Sequence, residues 1–437
     1  MSRKDVVITG IGGISPLGMD CGQFWEGLCS GRCGIEPIKA FDPVGFTCKL
    51  AGEVGEYKIR DHVPKSHRKA TKLMSRDIEL AVMAANEALA AAGLVTKATD
   101  PEKINIDPTR ISINFGAGLI SCDLLEIAPA VSASLVDGTF DIHKWGKEGV
   151  DHVTPLWLLK YLPNMLACHI GIIHDIQGPS NSITCGEAGS HLAVIESAQI
   201  IARGDSDIAL AGGAEAKVNP IVMIRQCLLK RATTENNDDP EAACRPFDTD
   251  AKGSVFGEGA GTLILENRQY AEQRGANIYC EIAGTGESNN INSAYERLEA
   301  DGKGIQIAVK KALENAEMEA SDIDLIVPHG TGIAEDDVAE AKGIEASLGE
   351  AVKDIPVFPT KSMLSNTGAA SGALDIIAGV CAIRDGKAPA AKNCVKKAEG
   401  CNLNILTKPL EKEIRTVLCT SYTYGGQTAA IILRKTG

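Results

Sequence analysis

Strand-like segments alternate with helix-like segments along almost the whole sequence, and this alternation restricts the possible folds more than any other feature. The strand-like segments are short and rich in β-branched residues: Val6–Gly10, Ile111–Gly116, Asp207–Gly213, Val255–Glu266, Ile278–Gly286, Asp324–His329, Val357–Lys361, Val417–Tyr422 and Ala429–Arg434. The helix-like segments repeat apolar residues every three or four positions: Gln23–Leu28, part of Ser66–Leu94, His191–Ile201, Gly304–Ala316, Asp337–Leu348 and Ala369–Ile383. This pattern predicts an α/β fold. The segment Ile11–Gly18 is rich in Gly and Pro and predicts a turn after the first strand.

Charge and cysteine content exclude several classes of protein. With 44 Lys and Arg against 57 Asp and Glu, the net charge of −13 argues against nucleic-acid binding. No apolar run reaches the ~20 residues of a membrane helix, and the apolar part of the N-terminal segment is too short for a signal peptide. The 14 Cys residues include no CxxC pair. We therefore expect neither a disulfide framework nor a metal site, and we expect a cytoplasmic location.

The stretch from Gly178 to Ile201 predicts a strand, a tight turn and a helix in direct succession. Gly178-Pro179 marks a turn, a short segment with Ile183 and Thr184 follows, and small residues then precede an apolar-periodic helix. This arrangement resembles a nucleophile elbow, which presents one side chain at a helix N-terminus. We place Glu187 at that position, and Cys185 is the alternative two residues earlier.

Three further turns carry residues capable of chemistry, each near the end of a predicted strand. They contain His329 in HGTG, Lys361 and Asn366 in TKSMLSNTG, and Tyr424-Gly425-Gly426. Strand ends in α/β proteins are where binding sites assemble. Each motif is weak alone, because a lone His is more often a hydrogen-bonded structural residue and a Gly-Gly pair is usually only a turn.

Together, in this order, the motifs resemble the β-ketoacyl synthases, the condensing enzymes of fatty acid and polyketide synthesis. The quoted motifs are VVITGIGGISPLG, GPSNSIT, GDSDIALAGGAEA, CRPFDTDAKGSVFGEGAG, HGTG, TKSM and YGGQT. The resemblance implies a thiolase-like fold of two related α/β halves in a five-layer αβαβα stack, normally dimeric. It suggests a boundary between residues 1–266 and 267–437. It also implies substrates carried on the phosphopantetheine arm of an acyl carrier protein, and no bound cofactor of its own.

The resemblance also assigns roles to individual residues. Family members use an elbow Cys, which takes the acyl group, and two His, which stabilise the enolate that forms when a malonyl unit loses CO₂. Carried over by motif, Glu187 replaces the Cys, His329 is the first His and Asn366 replaces the second. The other matches are the supporting Lys361, the acidic Asp337 and Glu340, the gating position Tyr424, and the arm contacts Thr331, Gly425 and Gly426.

Glu187 changes what the site can do. Acylation of a carboxylate would give a mixed anhydride, which is more labile than the thioester it came from, so a stable acyl-enzyme is not expected. One interpretation is a chain-length-factor-like subunit paired with a Cys-containing ketosynthase. The bulky segment Pro155–Pro163 would then cover a pocket or an interface, or it is an ordinary surface excursion. A homodimer is the other arrangement that we consider.

Catalytic alternatives also remain. One is malonyl-carrier decarboxylation supported by His329 and Asn366, and another is a general-base role for Glu187. A third is condensation through Cys185.

Overall fold

The computed structural model describes residues 5–290 and 297–437, which form twelve α-helices and seventeen strands. The helices are α1 Cys21–Cys29, α2 Arg76–Ala91, α3 Leu124–Ala133, α4 Ile142–Lys147, α5 Met165–His174, α6 Gly189–Arg203, α7 Pro220–Leu228, α8 Arg268–Gln273, α9 Lys303–Ala316, α10 Ala334–Leu348, α11 Lys361–Leu364 and α12 Ser371–Asp385. The strands are β1 Val6–Ile14, β2 Ile35–Pro37, β3 Leu50–Gly52, β4 Ile111–Ala117, β5 Leu135–Val136, β6 Thr139–Phe140, β7 Ser180–Ile183, β8 Ile208–Ala216, β9 Glu258–Asn267, β10 Cys280–Asn289, β11 Leu325–Val327, β12 Pro356–Val357, β13 Lys387–Ala388, β14 Asn404–Ile405, β15 Leu410–Glu411, β16 Thr416–Tyr422 and β17 Gln427–Arg434. Among the described residues, each helix is too short or too polar to cross a lipid bilayer.

Eleven strands form one hydrogen-bonded sheet in the order β14-β12-β11-β16-β17-β10-β1-β9-β8-β4-β7. Two sets of five have the same internal order. If the strands of each set are numbered 1 to 5 along the chain, they lie side by side in the sheet in the order 3-2-4-5-1. The first set is β1, β4, β7, β8 and β9, and the second is β10, β11, β12, β16 and β17. The sets meet where β1 pairs antiparallel with β10 through Val7 and Ile8. The molecule is therefore built from two α/β halves of equal topology, and the proposed boundary at residues 266/267 falls at the end of β9.

Three apolar clusters place the helices in five layers. The central cluster joins α6 and α12 to side chains from both five-strand sets. A second cluster packs α2 and α5 on the outer face of the first set, and a third packs α9 and α10 on the outer face of the second. Alternating residues of one strand enter different clusters. In β8, Leu210 packs in the outer cluster while Ala209 and Ala211 pack in the central one, as the two-residue period of a strand requires. The predicted α/β fold of two related halves in five layers is confirmed.

The predicted turn at Ile11–Gly18 is wrong in its first part, because β1 continues through Ile14. Gly10 and Gly12 are needed inside the strand. A Cβ on Gly10 would lie 2.4 Å from the Ala88 carbonyl oxygen, and one on Gly12 would lie 2.1 Å from that of Ala84. These glycines let α2 lie directly on β1, and they do not end the strand.

Two other predicted strands are shorter than the sequence suggests. Of Val357–Lys361, only Val357 lies in a strand, because Pro359 has no N–H for the ladder and Lys361 already begins α11. Of Val255–Glu266, the strand begins at Glu258. The residues before it pair elsewhere: Asn366 N–H donates to the Val255 carbonyl, and Gly257 N–H donates to the Asn366 carbonyl. These two backbone hydrogen bonds fix the loop that carries Asn366.

Candidate functional site

The elbow around Glu187 has the strand, turn and helix that the sequence predicts. Strand β7 ends at Ile183, a single 3₁₀ turn covers Gly186–Ala188, and α6 begins at Gly189. Gly186 takes the left-handed conformation with φ of 51°, which glycine adopts without strain. Glu187 is therefore held at the N-terminus of a 15-residue helix, and its side chain is buried.

Glycines at neighbouring strand ends allow this tight arrangement. A Cβ on Gly116, at the end of β4, would lie 2.4 Å from the Gly189 backbone. A Cβ on Gly213 in β8 would lie 2.3 Å from the Ala369 carbonyl oxygen. The first turn of α6 and the loop before α12 thus pack directly against strand backbone. On the other side, the Ser421 hydroxyl donates to the Glu187 carbonyl over 2.9 Å, which ties the elbow to the end of β16.

Buried charges surround Glu187. Lys217, directly after β8, has its Nζ 2.9 Å from Glu215 Oε1, and both side chains are almost fully buried. Arg231, after α7, has Nη1 2.9 Å from Asp336 Oδ2 and is equally buried. The sequence patterns do not single out either cation. For Lys217, the one available signal is its place immediately after the apolar strand segment DIALAGGAEA.

These cations determine the ionisation of Glu187. Burial by itself raises the pKa of the Glu187 carboxyl, but the charges of Lys217 and Arg231, with a smaller effect from Arg225, bring the pKa below its usual range. The positive end of the α6 dipole acts in the same direction. Glu187 is therefore a carboxylate at neutral pH.

A cavity of about 340 Å³ opens onto the elbow. Its wall includes Glu187, Lys217, Arg225, Gln226 and Tyr424. Pro163 also lines it, so the end of the predicted segment Pro155–Pro163 does form part of a pocket wall, while Leu156 and Leu158 of the same segment are exposed.

Cys185 lines this cavity as well. Burial raises the pKa of the Cys185 thiol. The thiol is therefore protonated at neutral pH, and a protonated thiol is a weak nucleophile.

His329 lies on the turn after β11, fully buried. The Glu340 carboxylate accepts the backbone N–H groups of His329 and Gly330, each over 2.8 Å, and so fixes the turn. The His329 ring meets that of Tyr422 edge-on at 4.7 Å. Burial and the charge of Lys361 hold the pKa of His329 well below its usual range. The imidazole is neutral, and its Nδ1 has no partner in the described structure.

Lys361 begins the short helix α11, and Asn366 lies two residues after its end. Lys361 Nζ donates to Asp375 Oδ2 over 2.7 Å, and neither side chain is exposed. Asn366 Oδ1 accepts the Gly368 N–H over 3.0 Å, whereas Asn366 Nδ2 is buried without a partner among the described residues. His329, Lys361 and Asn366 do not line the Glu187 cavity. The predicted residues therefore fall into two groups, one on the cavity wall with Glu187 and one buried away from that wall.

The turn between β16 and β17 carries Tyr424, Gly425 and Gly426. Tyr424 is partly exposed, and the Arg231 guanidinium lies 5.0 Å from its ring centre, within range of a cation–π interaction. Thr331 is fully buried, and its hydroxyl donates to Asp337 Oδ1 over 3.1 Å. Arg231 thus connects the Tyr424 turn, which lines the cavity, to the buried charges around Glu187.

Two family models match the chain. Residues 3–271 match the N-terminal domain of β-ketoacyl synthase, and residues 279–395 match its C-terminal domain. Among named relatives, the 3-oxoacyl-[acyl-carrier-protein] synthase 2 of Staphylococcus aureus is 31% identical over 99% of each chain. The protein of the same name from Vibrio cholerae is 31% identical over 100% of each.

Solved structures of ketosynthases also resemble this chain. The ishigamide ketosynthase/chain length factor superposes with a TM-score of 0.84 at 28% identity, covering 100% of both chains. A β-ketoacyl synthase from Burkholderia phymatum gives a TM-score of 0.86 at 26% identity, covering 99% of this chain and 100% of the other.

Proposed function

The chain belongs to the β-ketoacyl synthase family of fatty acid and polyketide synthesis, and we propose that it is a chain-length-factor-like partner subunit of an active ketosynthase. The observation that carries this proposal is the buried, ionised Glu187 at the position where the family resemblance places the nucleophile. Likeness to the ishigamide ketosynthase/chain length factor supports it.

Glu187 cannot perform the acylation step by the family route. Attack of its carboxylate on a thioester would exchange the thioester for a more reactive anhydride, so no acyl-enzyme would accumulate. The neighbouring Lys217 and Arg231 stabilise the carboxylate further and lower its nucleophilicity. Cys185 is not favoured as a substitute, because its thiol pKa is raised. Condensation therefore requires a second subunit that supplies a thiolate.

An exposed apolar surface beside the sheet edge fits the docking of such a subunit. Strand β7 is the last strand of the eleven-stranded sheet, and α5 packs beside it. Many of the exposed large apolar side chains lie between positions 119 and 172: Leu119, Leu124, Leu125, Leu135, Val136, Phe140, Ile142, Val150, Leu156, Leu158 and Ile172. Exposed apolar side chains near an edge strand favour a protein interface. We propose that the partner is a thiolase-fold subunit, in a heterodimer rather than a homodimer.

The other proposed partner is an acyl carrier protein, which presents its substrate on a phosphopantetheine arm. Although the net charge is −13, six cationic side chains are exposed within one segment: Lys58, Arg60, Lys65, Arg68, Lys69 and Lys72. Such a cluster attracts an anionic partner at low salt. We also propose a cytoplasmic location for this carrier-dependent role.

Co-expression with Cys-containing ketosynthases of the same genome tests the partner role. We expect a stable one-to-one complex whose product chain length depends on this subunit. Ile172→Lys, at an exposed position of α5, should weaken the complex at least tenfold, whereas Val395→Lys, also at a highly exposed apolar position, should not. A self-sufficient homodimer that elongates an acyl chain alone would refute the proposal.

A second candidate is decarboxylation of malonyl-carrier protein. It is favoured by His329 Nδ1 and Asn366 Nδ2, two buried polar groups that have no partner among the described residues and would serve an enolate oxygen if substrate reached them. In this reaction the malonyl thioester loses CO₂, and the resulting enolate takes a proton to give the acetyl thioester. We expect CO₂ release to fall at least tenfold in His329→Ala while Glu187→Gln retains it. Release no faster than in buffer would exclude this candidate.

A further inference from the structure

We propose that Arg231 is a positioning residue that holds the Tyr424 ring at the opening of the cavity beside Glu187, and so controls what reaches that cavity. Tyr424 lines the cavity and is also 38% exposed to solvent. Leu119 and Thr184 likewise line it and are exposed. A side chain that borders both the cavity and the solvent lies at the opening, so these three side chains frame it. The proposal concerns the chain itself and does not depend on the partner role.

The contact between Arg231 and Tyr424 joins a surface turn to the interior. The Arg231 guanidinium carbon lies 5.0 Å from the ring centre, where a cation is attracted to the electron-rich face of an aromatic ring. The Arg231 side chain is only 8% exposed, so little water screens its charge. The contact uses the face of the ring and not its hydroxyl, which predicts that Phe can replace Tyr at this position.

Arg231 is held in place by other parts of the fold. Its Nη1 donates to Asp336 Oδ2 over 2.9 Å in an almost fully buried ion pair, and Asp336 lies in the first turn of α10. The Arg231 backbone N–H donates to the Gln226 carbonyl over 3.0 Å, and the Arg231 carbonyl accepts the Ser254 N–H over 2.8 Å. A residue fixed at both its backbone and its guanidinium can restrain a surface turn that contacts it.

Local hydrogen bonds give the turn its shape. Thr423 N–H donates to the Gln427 carbonyl and Gly426 N–H donates to the Thr423 carbonyl, each over 2.9 Å. Both bonds lie within the hairpin of β16 and β17, so they do not fix the direction of the Tyr424 ring. Arg231 is not among the described residues that line the cavity. Its removal therefore changes the opening through the ring that it holds.

Amide hydrogen exchange of the full chain, measured by peptide mass spectrometry, reports release of the turn over residues 423–427. In Arg231→Met we expect exchange there to rise about fivefold, because one cation–π contact is lost. Tyr424→Leu should give a similar rise and Tyr424→Phe none. Arg231→Met/Tyr424→Leu should exchange no faster than Tyr424→Leu alone, because the two changes break one contact. Equal exchange in wild type and Arg231→Met, or effects that multiply in the double variant, overturn the proposal.

Arg76→Met is the matched control for the loss of a buried charge. Arg76 also lies 5.0 Å from an aromatic ring centre, that of Tyr57, and also pairs with an almost fully buried carboxylate, that of Glu258. None of these three residues lines the cavity. Exchange at residues 423–427 should stay at the wild-type rate in this variant. A rise equal to that in Arg231→Met would reflect general loosening and would overturn the proposal.

Access to the cavity is the second readout. Cys185 lines the cavity, and burial is the cause of its raised pKa, so loss of the Arg231 charge should leave its reactivity toward a small reagent unchanged. Labelling of Cys185 by a bulky maleimide, relative to iodoacetamide, should rise about fivefold in Arg231→Met and in Tyr424→Leu. The partly buried Cys29 at the end of α1 is the internal reference. A released turn with an unchanged labelling ratio overturns the control of access.

The two Tyr424 variants keep the proposal testable if Arg231→Met does not fold. Tyr424→Leu and Tyr424→Phe both leave the ion pair of Arg231 with Asp336 intact, and only Phe keeps a ring for the guanidinium. We expect faster exchange and faster bulky labelling in the Leu variant alone. Equal exchange and equal labelling in these two variants overturn the proposal.

Discussion

Replacing Lys361 by Met should destabilise the protein in a strongly pH-dependent way. The Lys361 ammonium lies 2.7 Å from Asp375 Oδ2, and both side chains have no exposed surface. The Thr360 hydroxyl donates to the other oxygen of the same carboxylate over 2.6 Å. Burial raises the pKa of Asp375, and Lys361 is the main group that lowers it. Met fills a similar volume but leaves Asp375 buried without its counter-ion.

The size of the effect is set by the free energy of protonating Asp375, because protonation is the least costly way to remove its uncompensated buried charge. An unfolded Asp has a pKa near 3.9, and each pH unit above it corresponds to about 1.4 kcal/mol, so protonation costs about 4 kcal/mol at pH 7 and about 1.5 kcal/mol at pH 5. In the variant the folded pKa lies above the unfolded one. Stability is therefore highest at low pH and is lost as pH rises through this window.

Urea denaturation at pH 5, 6 and 7 measures the difference from wild type through the shift of the midpoint at constant slope. We expect the destabilisation to grow with each pH unit up to about 4 kcal/mol at pH 7. The double variant Lys361→Met/Asp375→Asn, which removes the titrating group, should lose this pH dependence. A loss below about 1 kcal/mol at pH 7, or one independent of pH, would show that no buried ion pair is broken.

Two other positions give equally direct tests. Burial raises the pKa of Asp77 to about 7, so this group should lower wild-type stability by up to about 4 kcal/mol as pH rises from 4 to 7. Asp77→Asn should remove that pH-dependent contribution. A pH profile of urea stability that is unchanged in the variant would contradict this prediction. Gly368→Ala should cost clearly more than Gly275→Ala, since both have positive φ, near 62° and 70°, but only the Cβ at 368 would meet a Glu215 oxygen, at 2.1 Å. Equal losses of about 1–2 kcal/mol, the cost of the backbone conformation alone, would show that the carboxylate moves aside.

The sequence anticipates much of the site because its predicted residues are marked by local signals. Gly178-Pro179 predicts the turn before β7, and the apolar spacing after Ser190 predicts α6. The elbow around Glu187 therefore lies where the pattern predicts it. The errors fall where a local signal serves a distant contact. Gly10 and Gly12 predict a turn by composition, but they are inside β1 because α2 packs against them.

The roles assigned to Glu187, His329, Asn366 and Lys361 stay predictions until they are tested by mutation. The structure adds a physical basis for three of them, His329, Asn366 and Lys361. His329 is neutral, and within residues 5–290 and 297–437 its Nδ1 and the Asn366 Nδ2 have no hydrogen-bond partner, while Lys361 holds Asp375 in a buried ion pair. None of these states follows from the motifs alone, because burial and neighbouring charge set them.

The sequence by itself indicated the α/β class, the order of the main strands and of six of the twelve helices, the family and the presence of Glu187 at the elbow, because periodicity and motif spacing are properties of the chain over short distances. Tertiary structure alone decided the charge environment of that elbow. The charges of Lys217 and Arg231 act on Glu187 only because the fold brings the end of β8 and the loop after α7 near the start of α6. Coulomb interaction depends on separation in space and on burial, and neither can be read from positions along the chain.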